Sequence, residues 1–400
     1  MKSIEKIVFF LLPLSTLFSG LTFIPNRILV ISLLLLVLVR NRFFIYQLYK
    51  KKWLLVLGLL YVLLILFGNP YLSKEAILFL TLPIYPFIYG QSTLTKFLLK
   101  KYFILAVFTY SMILILLKSI KIISFGVLDF FQQEQWWNQV LYKNLAMELH
   151  AHPTYVAMFI IASFVMLLDQ SNKKEKYFSY TNYVLILTIS LLVLLLLVVK
   201  ISFLAIFLIL VVFMFFLLST NHVKPAIISL ILLLLSSIAV YNIPGIKHRL
   251  LVDLNSIQNS EPKRMEANRL KERTALWKAS LHFISQNPIV GSSIQGVSSK
   301  SSIYPMAKTI YPQLESQKNC HNNFLEFGVR YGIIGIGIFS LFILLFLKEG
   351  IKPASFEIIG IWIMICCFSL TESFMFREQG ISLVSILLAT FRIHFYGKDI

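Results

Sequence analysis

Long apolar runs recur from one end of the chain to the other, and they limit the possible folds more than any other feature. Two examples are "WLLVLGLLYVLLILF", which begins at Trp53, and "YVLILTISLLVLLLLVV", which begins at Tyr183. Each run approaches the roughly 20 residues that an α-helix needs to cross a hydrocarbon core of about 30 Å. Because backbone amides find no water inside a bilayer, helices are the natural structure for such runs. The sequence therefore predicts an all-α, polytopic membrane protein.

Polar breaks divide the chain into about twelve candidate spans, and one break is much longer than the rest. This long break, residues 242–322, separates spans 1–9 (residues 1–241) from spans 10–12 (residues 323–400). The first span follows two lysines, as in a signal peptide, but it lacks a small-x-small cleavage site, so we interpret it as a retained helix. The predicted spans cover residues 7–24, 28–39, 53–68, 76–90, 102–120, 153–168, 181–199, 201–218, 225–241, 323–347, 355–373 and 379–395.

Basic residues predict the orientation of the spans. The breaks "RNRFFIYQLYKKK" and "DQSNKKEK" are strongly basic and fall on the same side of the predicted bundle. The positive-inside rule makes that side cytoplasmic, so both termini are expected in the cytoplasm and residues 242–322 outside. A net charge of +19 raises the question of nucleic-acid binding. Orientation explains much of this charge, and we expect no nucleic-acid partner.

The long external segment carries 11 basic and 5 acidic residues, and it includes the helical stretch "EANRLKERTALWKASLHFISQ". Arg269 and Arg273 are four residues apart, so they share one face of that helix. One interpretation is a solvated face or a contact with lipid headgroups, and charge alone favours it. The other is a clamp for a diphosphate, because the planar fork of arginine fits phosphate oxygens.

Lys200 interrupts the otherwise uncharged stretch "LLVLLLLVVKISFLAIFLILVVF". A lysine at membrane depth is costly, so it is by default a hypothesis of function. The alternative is a tight external turn from which the lysine side chain reaches the membrane surface. Periodicity does not separate these two interpretations.

His321 opens the tenth span within "NCHNNFLEFGVRYGIIGIG". In one interpretation Asn319 or Asn322 caps the helix and His321 is merely interfacial. In the other, a neutral imidazole takes a proton from a sugar hydroxyl near neutral pH. A single histidine does not decide between them.

Other polar residues stand near the predicted outer surface. His152 opens the sixth span within "HAHPTY", but the pair of histidines there has no third ligand nearby. The cysteines have no ligand spacing either, so we expect no metal site. Glu372 and Arg377 lie in the turn "LTESFMFREQG", where they either pair with each other or orient a polar substrate.

The order of features in the second half of the chain resembles the membrane domain of the O-antigen ligase superfamily. That family has an Arg-x-x-x-Trp helix, an Asn-Pro turn that ends in glycine, and a His-Asn pair that opens a span with Gly-x-x-Gly. The segments "HPTYVAMFI" and "VVKISFLAI" are also similar to family motifs. The matching residues are Arg273, Trp277, Asn287, Pro288, Gly291, His321, Asn322, Gly332 and Gly335.

The resemblance implies a membrane glycosyltransferase at the outer face of the bacterial inner membrane. Such enzymes move a glycan from undecaprenyl diphosphate to an acceptor, which is lipid A–core in the ligases, and they need no cofactor. By resemblance, His321 is the catalytic residue that activates the acceptor hydroxyl. The diphosphate would bind Arg273, Arg269 and Lys200. Supporting positions are Asn322, Glu372, Arg377 and His152.

Two alternatives remain at this stage. A polymerase of the same superfamily would use the same donor and join it to a second lipid-linked repeat. A polysaccharide transporter or flippase also has many spans, but the sequence shows no inverted repeat. For the enzyme, a single displacement predicts inversion at the anomeric carbon.

Overall fold

The computed structural model of the protein describes residues 2–17, 93–132, 140–171, 177–219, 265–292, 298–351 and 355–390, and every regular element in these ranges is helical. The predicted all-α class is therefore confirmed for this part of the chain. The α-helices are α1 (Lys2–Leu17), α2 (Thr93–Phe125), α3 (Val127–Gln132), α4 (Lys143–Ala146), α5 (Pro153–Ser171), α6 (Tyr180–Leu197), α7 (Lys200–Ser219), α8 (Met265–Gln286), α9 (Ser299–Ile310), α10 (Asn323–Ile351), α11 (Phe356–Ser369) and α12 (Glu378–Thr390). Two short 3-10 helices span Met147–Leu149 and Phe374–Phe376.

Among the described helices, five are long and apolar enough to cross a membrane, namely α2, α5, α6, α7 and α10. Each coincides with a predicted span, and the shorter apolar helices α11 and α12 coincide with the last two. The chain is therefore a multi-pass membrane protein. The total of twelve spans stays a prediction because four of them lie outside the described residues: 28–39, 53–68, 76–90 and 225–241.

Helix α5 occupies the centre of the bundle. It packs against α2, α6, α7, α11 and α12, and residues 153–170 are all buried. A helix that is apolar on every side needs either other helices or lipid around it, and "PTYVAMFIIASFVMLL" is surrounded by other helices. The amino-terminal end of α5, next to His152, therefore lies at the middle of one end of the bundle.

Lys200 begins a helix at the end of the bundle. Helix α6 ends at Leu197 and α7 starts at Lys200, so the two helices are joined by Val198 and Val199 alone. Val198 has a left-handed backbone with φ 43°, which is uncommon for a β-branched residue. Both helices pack against α5. This geometry agrees with the tight-turn interpretation and not with a lysine in the middle of a span.

Helix α10 bends sharply at Gly332, where φ is 61° and ψ is −154°. The turn that follows α8 packs its backbone directly onto this bend. The N–H of Ile333 donates to the carbonyl of Pro288 at 2.7 Å, and the N–H of Ser292 donates to the carbonyl of Val329 at 2.7 Å. The Asn-Pro turn and Gly332 are thus two halves of one contact, which fixes α8 against α10.

Replacing Gly332 with alanine is expected to destabilise the protein by about 2 kcal/mol or more, since this backbone region is essentially restricted to glycine. A Cβ atom there would lie 2.3 Å from the carbonyl carbon of Ile289. The measurement is the melting temperature of detergent-solubilised protein. Gly337→Ala is the matched control, because a Cβ on Gly337 in the same helix meets nothing within 4 Å. Equal melting temperatures for the two variants would contradict the prediction.

Helices α8 and α9 form a small second core with the beginning of α10. Its buried residues come from all three helices and from the connection that leads to His321. They are Leu276, Ala279, Ile303, Ala307, Leu314, Cys320 and Val329. This core holds α8 beside the amino-terminal end of α10, so residues on α8 face the end of the bundle.

Candidate functional site: a basic cleft at one end of the bundle

An open cleft of about 610 Å³ lies between the end of the bundle and helix α8. Its walls come from residues 142–154, 198–204, 270–273, 318–321 and 371–372. Five of the predicted site residues line it, namely His152, Lys200, Arg273, His321 and Glu372. Segments far apart in sequence therefore converge on one concave surface, which is the usual form of a small-molecule site.

Positive charge dominates the lining of the cleft. Four cations line it, Lys143, Lys200, Arg273 and Lys318, against the two carboxylates Glu272 and Glu372. The amino-terminal ends of α5, α7 and α10 also meet the cleft. Helix amino termini carry partial positive charge and favour anions. Side chains and helix ends together make the cleft suitable for a multiply charged anion.

Strained backbone is concentrated around the cleft. Four non-glycine residues in the described part of the chain have positive φ angles: Tyr142 (57°), His150 (50°), Val198 (43°) and His321 (47°). All of them except His150 line the cleft. The N–H of Tyr142 donates to the carbonyl of Leu196 at 2.9 Å, which joins two of these segments. Such conformations cost free energy and tend to cluster at functional sites. Three of them on one cleft indicate a function for it.

Glu372 bridges His321 and Arg273. One carboxylate oxygen, Oε2, lies 3.3 Å from Nδ1 of His321, and the other, Oε1, lies 3.4 Å from a terminal nitrogen of Arg273. Arg377 instead hydrogen-bonds the hydroxyl of Tyr155. The pairing of Glu372 with Arg377 that the sequence offered as one option is thus replaced by a pairing with residues on α8 and at the start of α10.

The Glu372 carboxylate is charged at neutral pH. Burial alone would raise its pKa, but the hydrogen bond with His321 and the charges of His321, His152 and Arg273 bring the pKa below its ordinary value of 4.5. A depressed pKa means that the charged bridge is intact above that value and is lost as pH falls through the lower pKa. The bridge is therefore present throughout the physiological range.

His152 occupies the same cleft, next to the centre of the bundle. The surrounding protein lowers the pKa of its imidazole, and the nearby Glu372 opposes part of this effect. Its ring packs against Tyr155 with the ring centroids 5.4 Å apart, and the residue is exposed to the cleft. An exposed imidazole whose lowered pKa favours the neutral form can donate a hydrogen bond to a bound ligand or accept one from it.

Two hydrogen bonds fix the backbone next to His321. The indole N–H of Trp277 donates to the carbonyl of Cys320 at 2.9 Å, and the N–H of Cys320 donates to Glu326 at 3.1 Å. Arg273 and Trp277 are one turn apart on α8. The Arg-x-x-x-Trp pattern therefore has two roles, since its arginine reaches Glu372 and its tryptophan positions the peptide before His321.

The two asparagines after His321 hold the loop that carries Glu372. Asn322 caps α10, because its side-chain oxygen accepts the N–H of Leu325 at 3.1 Å, and its side-chain nitrogen donates to the carbonyl of Leu370 at 3.2 Å. Asn323 binds on both sides of Glu372, to Ser369 and to the N–H of Met375, each at 3.2 Å. The capping interpretation of Asn322 is correct, and it does not compete with a role for His321.

Glu326, which sequence reasoning missed, organises the amino-terminal end of α10. Its side chain is fully buried. It accepts the N–H of Cys320, the hydroxyl of Ser299, and the Nε–H of Arg330 at 2.8 Å. A carboxylate inside an apolar run is costly unless it is partnered, so its position in "NFLEFGVR" was an available signal.

The remaining residues of interest fall in two groups. Lys143 and Lys318 line the cleft but were not singled out from the sequence. Lys318 forms an ion pair with Glu272 on α8. Arg269, a predicted diphosphate ligand, belongs to α8 one turn before Arg273.

Comparison with known proteins agrees with the sequence motifs. A family model described as O-antigen ligase matches residues 183–340, a range that includes α8, the Asn-Pro turn, His321 and most of α10. No curated protein matches the chain. Residues 183–340, about two fifths of the chain, are therefore similar to an O-antigen ligase domain.

Proposed function

We propose that the protein is a glycosyltransferase of the O-antigen ligase type. It takes a glycan from undecaprenyl diphosphate and transfers it to an acceptor hydroxyl, such as one on lipid A–core, at the outer face of the bacterial inner membrane. The observation that carries the proposal is the Arg273–Glu372–His321 bridge in a strongly basic cleft. The bridge joins the guanidinium of Arg273, which is suited to binding an anion, to the imidazole of His321, which is suited to proton transfer.

The donor end of the reaction calls for charge neutralisation. When the bond between the anomeric carbon and the diphosphate oxygen breaks, negative charge develops on that oxygen. Arg273 on α8 and Lys200 at the start of α7, which both line the cleft, would stabilise this charge, with Arg269 as a further candidate. Preorganised cations around a leaving group are among the strongest sources of transition-state stabilisation.

The acceptor end calls for a base. In the neutral tautomer that donates Nδ1–H to Glu372, the Nε2 atom of His321 carries a lone pair. The acceptor oxygen attacks the anomeric carbon, its proton passes to Nε2, and the carbon–oxygen bond to the diphosphate breaks. A histidine with a carboxylate partner is well suited to this task near neutral pH. One displacement of this kind inverts the anomeric configuration.

The donor's lipid chain fits the surroundings of the cleft. Leu204 on α7 and Leu270 on α8 line the cleft and are 50% and 41% exposed. Further along α7, Phe207 and Phe215 are 46% and 61% exposed. An apolar helix face that continues from a basic cleft suits a ligand with a charged head and a hydrocarbon tail.

The test is a transfer assay with purified protein, undecaprenyl-diphosphate-linked glycan and two acceptors in separate reactions, lipid A–core and a second lipid-linked glycan. We expect a transferred glycan by mass spectrometry, in the presence of EDTA and with inverted anomeric configuration by NMR. A retained configuration would refute the single displacement.

The same assay separates the alternatives. A product formed only with the second lipid-linked glycan identifies a polymerase instead of a ligase. A transporter would move the lipid-linked glycan across reconstituted vesicles and leave the diphosphate bond intact, and this result would overturn the proposal.

A further inference from the structure

The two halves of the proposed reaction share a single carboxylate. Glu372 contacts Arg273 through Oε1 at 3.4 Å and His321 through Oε2 at 3.3 Å. Arg273 serves the donor in the proposed function, and His321 serves the acceptor. If the contact with one of these residues is lost, the carboxylate can therefore form a stronger hydrogen bond or ion pair with the other.

Of the three side chains, that of Arg273 is the most exposed. The side chain of Glu372 is 9% exposed, whereas that of Arg273 is 38% exposed. The loop around Glu372 is tied to α10 through Asn322 and Asn323. Charge-assisted N–H···O bonds are usually about 2.7–2.9 Å long, so the 3.4 Å contact of Arg273 is weak. The 3.3 Å contact of His321 is long as well, and it can shorten once Arg273 no longer competes for the carboxylate. Little is lost when Arg273 leaves it for a better partner.

We propose that Glu372 makes acceptor activation depend on donor binding. A bound diphosphate draws Arg273 away from Oε1, and the carboxylate then interacts with His321 as its main partner. His321 keeps its proton on Nδ1, and Nε2 is left as the base. In the empty cleft the carboxylate is divided between the two residues. This inference rests on the proposed function and adds an order to it, with the donor first.

The charges around Glu372 allow it to remain ionised after Arg273 has left. His321, His152 and Arg273 all lower the pKa of Glu372, and Arg273 is the smallest of these influences. Two further cations, Lys143 and Arg377, lie near this group, since their charges lower the pKa of the neighbouring His152. The hydrogen bond between His321 and Glu372 is the largest of the influences that lower this pKa, and it does not require a charged imidazole, so it continues to stabilise the carboxylate after Arg273 has left.

The test combines two measurements on Glu372→Gln. The first is the affinity for undecaprenyl diphosphate, which probes the anion site without turnover. The second is kcat for glycan transfer. Glutamine removes the charge that competes for Arg273, so we expect binding to become about twofold to fivefold tighter, as for the loss of a partly exposed ion pair. The kcat is expected to fall about a hundredfold, because the base loses its anionic partner.

Opposite changes in affinity and kcat distinguish this coupling from a structural role. If a residue only supports the fold, its replacement should lower the affinity, kcat and the melting temperature together.

Three further variants serve as controls. In an Arg273→Ala background, Glu372→Gln is expected to leave the affinity for undecaprenyl diphosphate unchanged, since no arginine is left to release. Glu372→Asp keeps the charge and should recover part of kcat. Glu315→Gln, on an exposed residue outside the cleft, is the matched control.

The measurements distinguish a failure of the proposed function from a failure of the coupling through Glu372. If the wild-type protein neither binds undecaprenyl diphosphate nor transfers glycan, the proposed function is wrong. If the wild type does both, but Glu372→Gln weakens binding or keeps its kcat, the coupling through Glu372 is wrong and the proposed function stands.

Discussion

Replacing His321 with alanine is expected to reduce glycan transfer by about 10²–10⁴-fold, the usual contribution of a general base, while the protein still inserts and accumulates. The ring contacts Glu372 through Nδ1 and lines the basic cleft. Its removal takes away the proposed proton acceptor but none of the residues proposed to hold the diphosphate. The measurement is kcat in the transfer assay, together with binding of undecaprenyl diphosphate, which should persist.

The backbone at His321 calls for a second variant. Its φ of 47° lies in the left-handed region, where alanine is disfavoured and asparagine is tolerated. His321→Asn therefore keeps the local backbone and removes the base. Both variants should show this reduction in transfer, and the asparagine variant should retain the wild-type melting temperature. His282→Ala, on an exposed histidine of α8, is the control. Full activity of His321→Asn would rule out the proposed role.

Local sequence patterns predicted the parts of the fold that depend on local chemistry. The apolar runs gave the positions of α5, α6, α7 and α10, because helix formation in a bilayer follows from composition over about 20 residues. The break at Lys200 was also recognised, and only its depth was undecided. Family motifs indicated that His321 and Arg273 act together, and the structure brings both to Glu372.

Local sequence patterns could not predict contacts between segments that are distant in the sequence. Arg273 and Glu372 are 99 positions apart, and no periodicity connects α8 with the loop after α11. The sequence offered Arg377, five positions away, as one possible partner for Glu372, and the separation across a turn did not decide the matter. The asparagine contacts that fix the loop give Glu372 other neighbours. Which acid meets which base is decided by helix packing, and helix packing depends on the whole bundle.

Arg273→Lys is expected to lower kcat/KM for the donor by about tenfold to a hundredfold, although the charge is unchanged. A guanidinium presents two parallel N–H donors to phosphate oxygens, whereas an ammonium is a point charge. Loss of one well-placed donor to a leaving group typically costs about this much or more. Since lysine can still pair with Glu372, the loss should appear in the donor steps and leave the melting temperature unchanged.

The control for Arg273→Lys is Lys278→Ala, which removes a charge from an exposed position of the same helix. It lowers the total positive charge, whereas Arg273→Lys does not. If net charge governs donor binding, Lys278→Ala should be the weaker enzyme. If the geometry of the arginine fork governs it, as we expect, Arg273→Lys should be weaker. Near-normal kcat/KM for Arg273→Lys would mean that this residue acts as a point charge or makes no contact with the diphosphate.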